Sequence, residues 1–332
     1  MSQAREPKPA WHDVPAGLRG RVEAIIGDRV VADEIAWGGF GPTATFVLTL
    51  AAGRKVFVKG THPGNTERGH EATLRECRNL RDFAELAAFG PAFLGSAEAD
   101  GWHLAVLDCV ERETAVPPWT QQAVTETMRL IAGFHAATPA RAARLLEERS
   151  ASDLLAQAEN WHSLRDADVR ARFAALFASP AKAERWLDSH LERLIALKDR
   201  AATLDGPRGW MHMDIRSDNL IFGARPVLVD WPVLSFGPQL LDIAFFLPSL
   251  EGEDGPRCAD GLALYEKAAD TRFAADDIAV AAAAVAGFFA ARAGEPEIAV
   301  LPRLRWVQKL QLFPALDWLC ESLGIEALAR DI

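Results

Sequence analysis

The residue types best suited to chemistry lie in one short segment, His212–Asn219, which reads HMDIRSDN. Asp214 and Asn219 follow the spacing H-x-D-x-x-x-x-N, and Asp230 comes 11 residues later in VLVDWP. A carboxylate such as Asp214 can accept a hydroxyl proton, while an amide oxygen and a second carboxylate are ligands that Mg²⁺ prefers. The spacing therefore favours transfer of a phosphoryl group to a hydroxyl. The alternative is a loop whose Asp and Asn only form turns.

A lysine near the start of the chain is the second candidate. The segment TFVLTL (45–50) predicts a strand, AAGRK predicts a hairpin turn, and KVFVK (55–59) predicts the partner strand. Lys59 therefore ends a strand, where a phosphate-contacting lysine would lie if it points into a cleft. The alternative is an ordinary surface lysine.

The elements that must position these residues change in character near residue 110. Before it, strands are predicted at 45–50, 55–59 and 102–110, with a helix over 66–89. After residue 117, apolar periodicity predicts helices over 121–137, 183–197, 274–293 and 301–324, interrupted at 209–232 by three short strand-like runs. We predict a small β-rich domain at 1–108 and a larger helical domain at 109–332. His135, on an apolar helix stripe, is expected to be a core histidine with one hydrogen bond.

Composition excludes several classes of protein. Of the 332 residues, 49% are hydrophobic and 25% are charged, which excludes a disordered chain. No apolar run is long enough to predict a membrane span, and the first 15 residues lack the apolar core of a signal peptide. The four cysteines are scattered, which predicts free thiols rather than a zinc site. A cytoplasmic protein without a membrane partner is expected.

The charge is acidic and unevenly distributed. The net charge is -10, which disfavours general nucleic-acid binding because the phosphate backbone would be repelled. Residues 1–110 carry -2 of this charge and the remaining residues carry -8. The acidic C-terminal region could attract a cationic small molecule, and a charged surface that only confers solubility is the alternative.

Several motifs, in order, resemble the aminoglycoside phosphotransferases and their relatives, which include choline kinases. They are WGGFGPTATFVLTLAAGRKVFVKG (37–60), PPWT, HMDIRSDNLIF and VDWPVLSFGPQLLDIAFF. The resemblance implies an α+β, two-lobed protein-kinase-like fold. Its small N-terminal lobe, 1–108, would hold an antiparallel β-sheet, one helix and the nucleotide, while the mainly α-helical C-terminal lobe, 109–332, would hold the catalytic loop and the acceptor. The implied cofactors are ATP and Mg²⁺.

In the N-terminal lobe, the resemblance implies backbone contacts with the nucleotide. A turn over the phosphates would be formed by Gly38, Gly39 and Gly41, where missing side chains let backbone amides approach. A tight hairpin without a ligand is an equal alternative for this turn. Backbone groups near Asp108 and Val110 would hold the adenine.

The resemblance also implies a role for Lys59. It would contact the α- and β-phosphates and pair with a helix carboxylate. Glu76 is the favoured partner, and Glu71 on the same helix is the competitor.

In the C-terminal lobe, the resemblance implies catalytic and metal-binding roles. Asp214 would be the catalytic base or orient the acceptor hydroxyl, and Asn219 and Asp230 would bind magnesium. Arg216 could neutralise charge on the moving phosphoryl group, with an ion pair as the alternative.

Supporting roles are implied for two further residues, His212 and Asp242. His212 would pack the loop, and Asp242 would hydrogen-bond the loop from below. Met213 stands where the family often has Gly, and Pro232 follows Asp230-Trp231 where protein kinases have Asp-Phe-Gly, which disfavours a flipping activation segment.

The expected function is Mg²⁺- and ATP-dependent phosphorylation of a hydroxyl on a small molecule. An aminoglycoside or another antibiotic is one acceptor class, and choline, a sugar or an amino alcohol is another. A nucleotide-binding pseudoenzyme and a scaffold that keeps only the fold are the non-enzymatic alternatives. The joint presence of Lys59, Asp214, Asn219 and Asp230 disfavours the pseudoenzyme. Trp119, in PPWT, could border the cleft.

Overall fold

The structure of the protein, a computed structural model, describes residues 7–37, 43–145, 159–299 and 301–330. The chain divides into two compact units, each built from separate stretches of sequence. The first comprises Met1–Val116, Asp218–Leu234 and Ala299–Pro302, and the second comprises Pro117–Ser217, Ser235–Ile298 and Arg303–Ile332. The chain passes from the second unit to the first between Ser217 and Asp218, within the HMDIRSDN segment.

The first unit contains a five-stranded antiparallel sheet with the order β1-β2-β3-β5-β4. Its strands are β1 (Val30–Ile35), β2 (Ala44–Leu50), β3 (Lys55–Thr61), β4 (Phe93–Ala99) and β5 (Trp102–Asp108). Alternate residues of β2 are buried, as a strand with one face on a core requires. The predicted hairpin of 45–50 and 55–59 is confirmed as β2 and β3, paired so that Thr45 lies opposite Lys59.

Two helices accompany this sheet, α1 (Ala16–Ile26) and α2 (Glu67–Asp82). Helix α2 begins after Thr66, whose hydroxyl accepts the Gly69 N–H at 3.2 Å. The prediction of one helix over 66–89 is wrong at its C-terminal end. Phe83 has φ -123° and ψ 73°, and its side chain is buried, so core packing overrides helical periodicity and the chain continues as a 3₁₀ turn. Helix α1 was not predicted from the sequence.

Strands β3 and β5 approach each other closely next to Lys59. A β-carbon added to Gly60 would lie 1.9 Å from the carbonyl oxygen of His103. This distance is far shorter than any van der Waals contact, so a side chain here would push the strands apart. Gly60 therefore fixes the position of Lys59 within the sheet.

The second unit is mainly helical, as predicted. Among its described residues it contains α3 (Gln121–Ala136), α4 (Ala140–Leu145), α5 (Ala167–Ala174), α6 (Pro180–Arg200), α7 (Gln239–Gly252), α8 (Cys258–Ala269), α9 (Ala275–Ala290) and α10 (Leu304–Leu323). These bounds confirm the helices predicted over 121–137, 183–197, 274–293 and 301–324, to within a few residues at the ends. In the described parts of the chain, no helix has both the length and the apolar character needed to cross a membrane.

Two small antiparallel sheets account for the three strand-like runs at 209–232. In the second unit, β6 (Arg208–Met211) pairs with β9 (Ser235–Pro238), a strand the sequence reading missed. In the first unit, β7 (Leu220–Phe222) pairs with β8 (Pro226–Leu228). The HMDIRSDN segment therefore leaves one small sheet and enters the other.

The close approach at Gly60 leads to a stability prediction. We expect Gly60→Ala to lower the free energy of unfolding by about 2–3 kcal/mol, because the added methyl group meets backbone that cannot rotate away. Gly20→Ala is the matched control, since the same methyl group in helix α1 meets nothing within 4 Å and should stabilise by about 0.5–1 kcal/mol. Urea denaturation of both variants measures the difference. Equal stabilities for the two variants would contradict the close approach.

Candidate active site

Lys59 lies in the first unit with its ammonium between two carboxylates. Its Nζ is 2.8 Å from Oε2 and 3.1 Å from Oε1 of Glu76, and it also contacts the carboxylate of Asp230. The side chains of Lys59 and Glu76 are only 16% and 3% exposed, while that of Asp230 is 36% exposed. Lys59 is therefore a largely buried, doubly paired cation rather than an ordinary surface lysine.

The charge of Lys59 is maintained by these neighbours. Burial alone disfavours the ammonium, but the negative charges of Asp230 and Glu76 outweigh burial and raise the pKa of Lys59 above its usual value. Lys59 therefore stays protonated at physiological pH and presents a fixed positive charge beside Asp230.

Helix α2 decides which glutamate pairs with Lys59. Glu76 lies on the buried face of α2, whereas Glu71 is exposed to solvent. Their separation of five positions places the two side chains roughly 140° apart around the helix axis, so they cannot share one partner. The structure therefore pairs Lys59 with the favoured candidate, Glu76.

Helix α2 also holds the backbone beside Asp230. Oε1 of Glu76 accepts the Trp231 N–H at 3.0 Å, and the side-chain amide of Asn79 donates to the Trp231 carbonyl at 2.7 Å. Asp230 itself has φ 74°, a left-handed conformation that a non-glycine residue adopts only when its surroundings impose it. Sequence reasoning missed Asn79, although its position three residues after Glu76, one helical turn away, was a usable signal.

The hairpin of β7 and β8 explains why Asn219 and Asp230 belong together. Leu220 is paired with Leu228, and the Val229 N–H donates to the Asn219 carbonyl at 3.0 Å, so both residues flank the same end of this hairpin. Their side chains supply oxygen donors, the chemistry that Mg²⁺ requires. No group of three or more His, Cys, Asp or Glu side chains in the described ranges is arranged to hold a metal by itself.

The glycine turn predicted over the phosphates is not among the described residues. Its three members, Gly38, Gly39 and Gly41, all lie in the gap between residues 37 and 43. The described strands on either side of the gap, β1 and β2, are paired antiparallel, and the Ala36 N–H donates to the Thr45 carbonyl at 3.0 Å. The contact of the three glycines with phosphate therefore stays a prediction, with the ligand-free hairpin as its alternative.

The residues predicted at the adenine are described. Strand β5 ends at Asp108, whose backbone N–H donates to the Ala92 carbonyl and whose exposed carboxylate is 3.3 Å from Arg54. Val110 lies beyond this strand and packs near Gly223 of the β7–β8 turn. The adenine contacts of Asp108 and Val110 stay predictions.

Asp214 lies in the second unit and pairs with Arg216. The Nε of Arg216 is 3.0 Å from Oδ1 of Asp214, and its terminal nitrogen is 3.3 Å from Oδ2. This ion pair, with a hydrogen bond from the terminal nitrogen to Oδ2, restrains the Asp214 side chain. The ion pair considered as the alternative for Arg216 is thus present, and its contact with a phosphoryl group stays a prediction.

The backbone before Asp214 is held by one buried carboxylate. Oδ2 of Asp242 accepts the N–H of His212 at 2.9 Å, and Oδ1 accepts that of Met213 at 2.6 Å. Asp242 lies in the first turn of α7 with a side chain that is 0% exposed. Met213 has φ 62°, so this is a position where glycine would be unstrained.

His135 differs from its expected form. Rather than one hydrogen bond it makes two, one between Nε2 and Oδ2 of Asp242 at 2.9 Å and one between Nδ1 and the hydroxyl of Tyr265 at 2.6 Å. The single-bond expectation was wrong because the sequence did not show that Asp242 and Tyr265, more than 100 residues further along, pack on either side of the ring.

A second carboxylate in the same unit holds the far end of this loop. Oε1 of Glu253 accepts the hydroxyl of Ser217 at 2.6 Å, and Oε2 accepts the indole N–H of Trp119 at 3.1 Å. Asp242, in the first turn of α7, and Glu253, directly after its last residue, therefore hydrogen-bond the two ends of residues 212–217. Sequence reasoning missed Glu253 because no motif marks it.

Comparison of the sequence with known families identifies the class of protein. The profile described as the phosphotransferase enzyme family, APH, matches residues 34–276. The chain belongs to this family, and it is therefore an enzyme that transfers phosphate to small molecules. A comparison with curated proteins gives no match.

Solved structures confirm the predicted protein-kinase-like fold. An aminoglycoside-3'-phosphotransferase of type VIII matches with a TM-score of 0.51 and 22% identity, covering 83% of this chain and 98% of that chain. Spectinomycin phosphotransferase, solved with ADP and spectinomycin, matches with a TM-score of 0.59 and 9% identity over 93% and 98%. An ethanolamine kinase of Plasmodium vivax matches with a TM-score of 0.53 and 9% identity over 86% and 81%.

The different environments of the two glutamates lead to a second prediction. We expect Glu76→Gln to lower the free energy of unfolding by about 3 kcal/mol, because it removes one partner of a buried ion pair. Glu71→Gln, the same change on the exposed face of α2, should alter it by less than about 0.5 kcal/mol. Chemical denaturation measures both values. A Glu71→Gln variant as unstable as Glu76→Gln would reject the pairing.

The conformation of Met213 leads to a third prediction. We expect Met213→Gly to be more stable than Met213→Ala by about 1 kcal/mol, because only glycine adopts positive φ without steric cost. Both variants remove the methionine side chain, so their difference isolates the backbone. Thermal unfolding of the pair provides the measurement, and a more stable alanine variant would contradict the left-handed conformation.

Proposed function

We propose that this enzyme transfers the γ-phosphate of ATP, as its Mg²⁺ complex, to a hydroxyl group of a small molecule. The observation that carries the proposal is the contact of the largely buried Lys59 with both Glu76 and Asp230. This arrangement holds a permanent cation beside a carboxylate that is one-third exposed, which suits a phosphate group and its metal ion. The related spectinomycin phosphotransferase, solved with ADP, supports nucleotide as the donor.

Residues of the first unit would hold the nucleotide and its metal ion. Lys59 would contact the phosphates, and the turn above them would consist of Gly38, Gly39 and Gly41. Backbone groups near Asp108 and Val110 would contact the adenine. The Mg²⁺ ion, which when bound neutralises charge on the phosphate oxygens, would be held by Asn219 and Asp230.

Asp214 would orient the acceptor hydroxyl and receive its proton. Its ion pair with Arg216 restrains the carboxylate before the acceptor arrives. Such preorganisation contributes mainly through positioning, because phosphoryl transfer requires little covalent chemistry from the protein. Asp242 and His212 would keep the backbone of this loop in place.

The acceptor is proposed to be a hydroxyl compound that also carries an amine. The related structures include an aminoglycoside phosphotransferase and an ethanolamine kinase, and both substrate names denote compounds with hydroxyl and amino groups. Amines of this kind are protonated near neutral pH, and the net charge of -8 over residues 111–332 would attract them. Neutral sugars are the second acceptor class to test.

We place the reaction in the cytoplasm. ATP is supplied there, and all four cysteines are free thiols, as expected in a reducing compartment. Burial raises the pKa of Cys77 to about 12 and that of Cys320 to about 11, so neither is a reactive thiolate.

Two substitutions separate catalysis from nucleotide binding. We expect Asp214→Asn to remove nearly all acceptor-dependent turnover while leaving the Kd for Mg-ATP almost unchanged, because the change leaves the shape of the side chain intact. Asp230→Ala should instead abolish measurable Mg-ATP binding. Turnover is measured against aminoglycosides, amino alcohols, neutral sugars, nucleosides and macrolides, and binding by calorimetry.

The outcomes discriminate among the alternatives. Asp214→Asn activity within tenfold of the wild type would exclude Asp214 as the base, and unchanged Mg-ATP affinity in Asp230→Ala would exclude its metal role. A wild-type protein that binds Mg-ATP but phosphorylates no acceptor on the panel would favour a pseudoenzyme. Absence of nucleotide binding would favour a scaffold.

A further inference from the structure

We propose that Tyr265 is a positioning residue for phosphotransfer, acting through His135 and Asp242 on the backbone that precedes Asp214. The three side chains come from three helices: α8 supplies Tyr265, α3 supplies His135 and α7 supplies Asp242. Tyr265 is the only tyrosine of the chain, and it is fully buried. The proposal rests on the proposed function only in assigning phosphotransfer to the loop.

The donors and acceptors of these three side chains can be assigned in order, from Tyr265 through His135 to Asp242. A carboxylate that is ionised only accepts hydrogen bonds, so Nε2 of His135 must donate to Asp242. A neutral imidazole carries one N–H, which leaves Nδ1 as an acceptor for the hydroxyl proton of Tyr265 at 2.6 Å. The hydroxyl of Tyr265 thus selects the imidazole tautomer that can bind Asp242.

Asp242 connects the imidazole of His135 to the backbone of the loop that contains Asp214. Its carboxylate accepts three donors, which are the ring N–H of His135 and the backbone N–H groups of His212 and Met213. These two amides directly precede Asp214, and Met213 is held in a left-handed conformation. A carboxylate that rotates by even a small angle would release one of the amides and change the direction of the Asp214 side chain.

Burial makes the tyrosine hydroxyl difficult to replace. The side chains of His135 and Asp242 are 1% and 0% exposed, so solvent does not supply the missing donor. Gln239 lies nearby, but its Oε1 is 3.5 Å from the hydroxyl and its amide is directed to the His135 carbonyl at 3.4 Å. Removal of the hydroxyl therefore leaves Nδ1 without its 2.6 Å donor.

The test compares Tyr265→Phe with Thr127→Val. The first removes the hydroxyl from the network. The second removes a buried hydroxyl on α3 that has no hydrogen-bond partner among the described residues, and it is not part of the site. We expect Tyr265→Phe to lower kcat for ATP hydrolysis with water as acceptor about tenfold, with an unchanged KM for ATP, because the loop is misplaced rather than unfolded. Thr127→Val should keep the wild-type kcat.

Two further measurements separate positioning from general stability. Amide exchange followed by NMR should be at least about tenfold faster at His212 and Met213 in Tyr265→Phe than in the wild type. The ¹⁵N shifts of His135 should also report loss of the single tautomer. In His135→Gln, where the side-chain amide can donate to Asp242 without the tyrosine, adding Tyr265→Phe should change neither kcat nor exchange.

The results have clear meanings. Tyr265→Phe with kcat and amide exchange within twofold of the wild type, or with effects that add fully to those of His135→Gln, would overturn the proposal. If the wild type neither binds nor hydrolyses ATP, the proposed function fails. Amide exchange and the His135 tautomer would then still decide whether Tyr265 positions the loop.

Discussion

The first unit depends on the requirement that a buried ammonium be matched by carboxylates. Removing the charge of Lys59 from water is costly, and the cost is offset only when Glu76 and Asp230 both approach it closely. Glu76 must then lie on the buried face of α2, and Asp230 must be held at the end of the β7–β8 hairpin. Two hydrogen bonds from α2 hold the backbone next to Asp230. Glu76 accepts the Trp231 N–H, and the side-chain amide of Asn79 donates to the Trp231 carbonyl. The pairing of one ammonium with two carboxylates therefore holds strand β3, helix α2 and the β7–β8 hairpin in contact.

The second unit satisfies a similar constraint with neutral donors. Asp242 is fully buried and needs hydrogen bonds to its carboxylate, which it obtains from two backbone amides and from His135. The polar groups that stabilise this carboxylate are the same ones that shape the loop around Asp214. Glu253, the residue directly after helix α7, has the corresponding role at Ser217, so the two ends of α7 lie next to the two ends of the loop. Stability and site geometry are thus maintained by the same contacts.

Strained backbone coincides with two carboxylates of proposed function, Asp230 as a metal ligand and Asp214 as the base. Asp230 is itself left-handed, and the residue before Asp214, Met213, is left-handed as well. Each conformation is unfavourable in isolation and persists because neighbouring side chains bind the adjacent backbone groups. Within its own unit, each carboxylate is thus restrained by hydrogen bonds to the backbone next to it.

The sequence by itself determined the strand–turn–strand around Lys59, the long helices of the second unit and the HMDIRSDN segment. These depend on local periodicity and on residue types that stand close together in the chain. The resemblance to the family also ranked Glu76 above Glu71, but only packing of α2 against β3 decided which carboxylate meets the lysine. The end of α2 at Asp82, strand β9, the contacts of Asn79 and Glu253, and the two hydrogen bonds of His135 were decided by the tertiary structure. Each depends on contacts between residues far apart in sequence. Local sequence patterns permit many such partners, and only burial in the folded protein decides which of them meet.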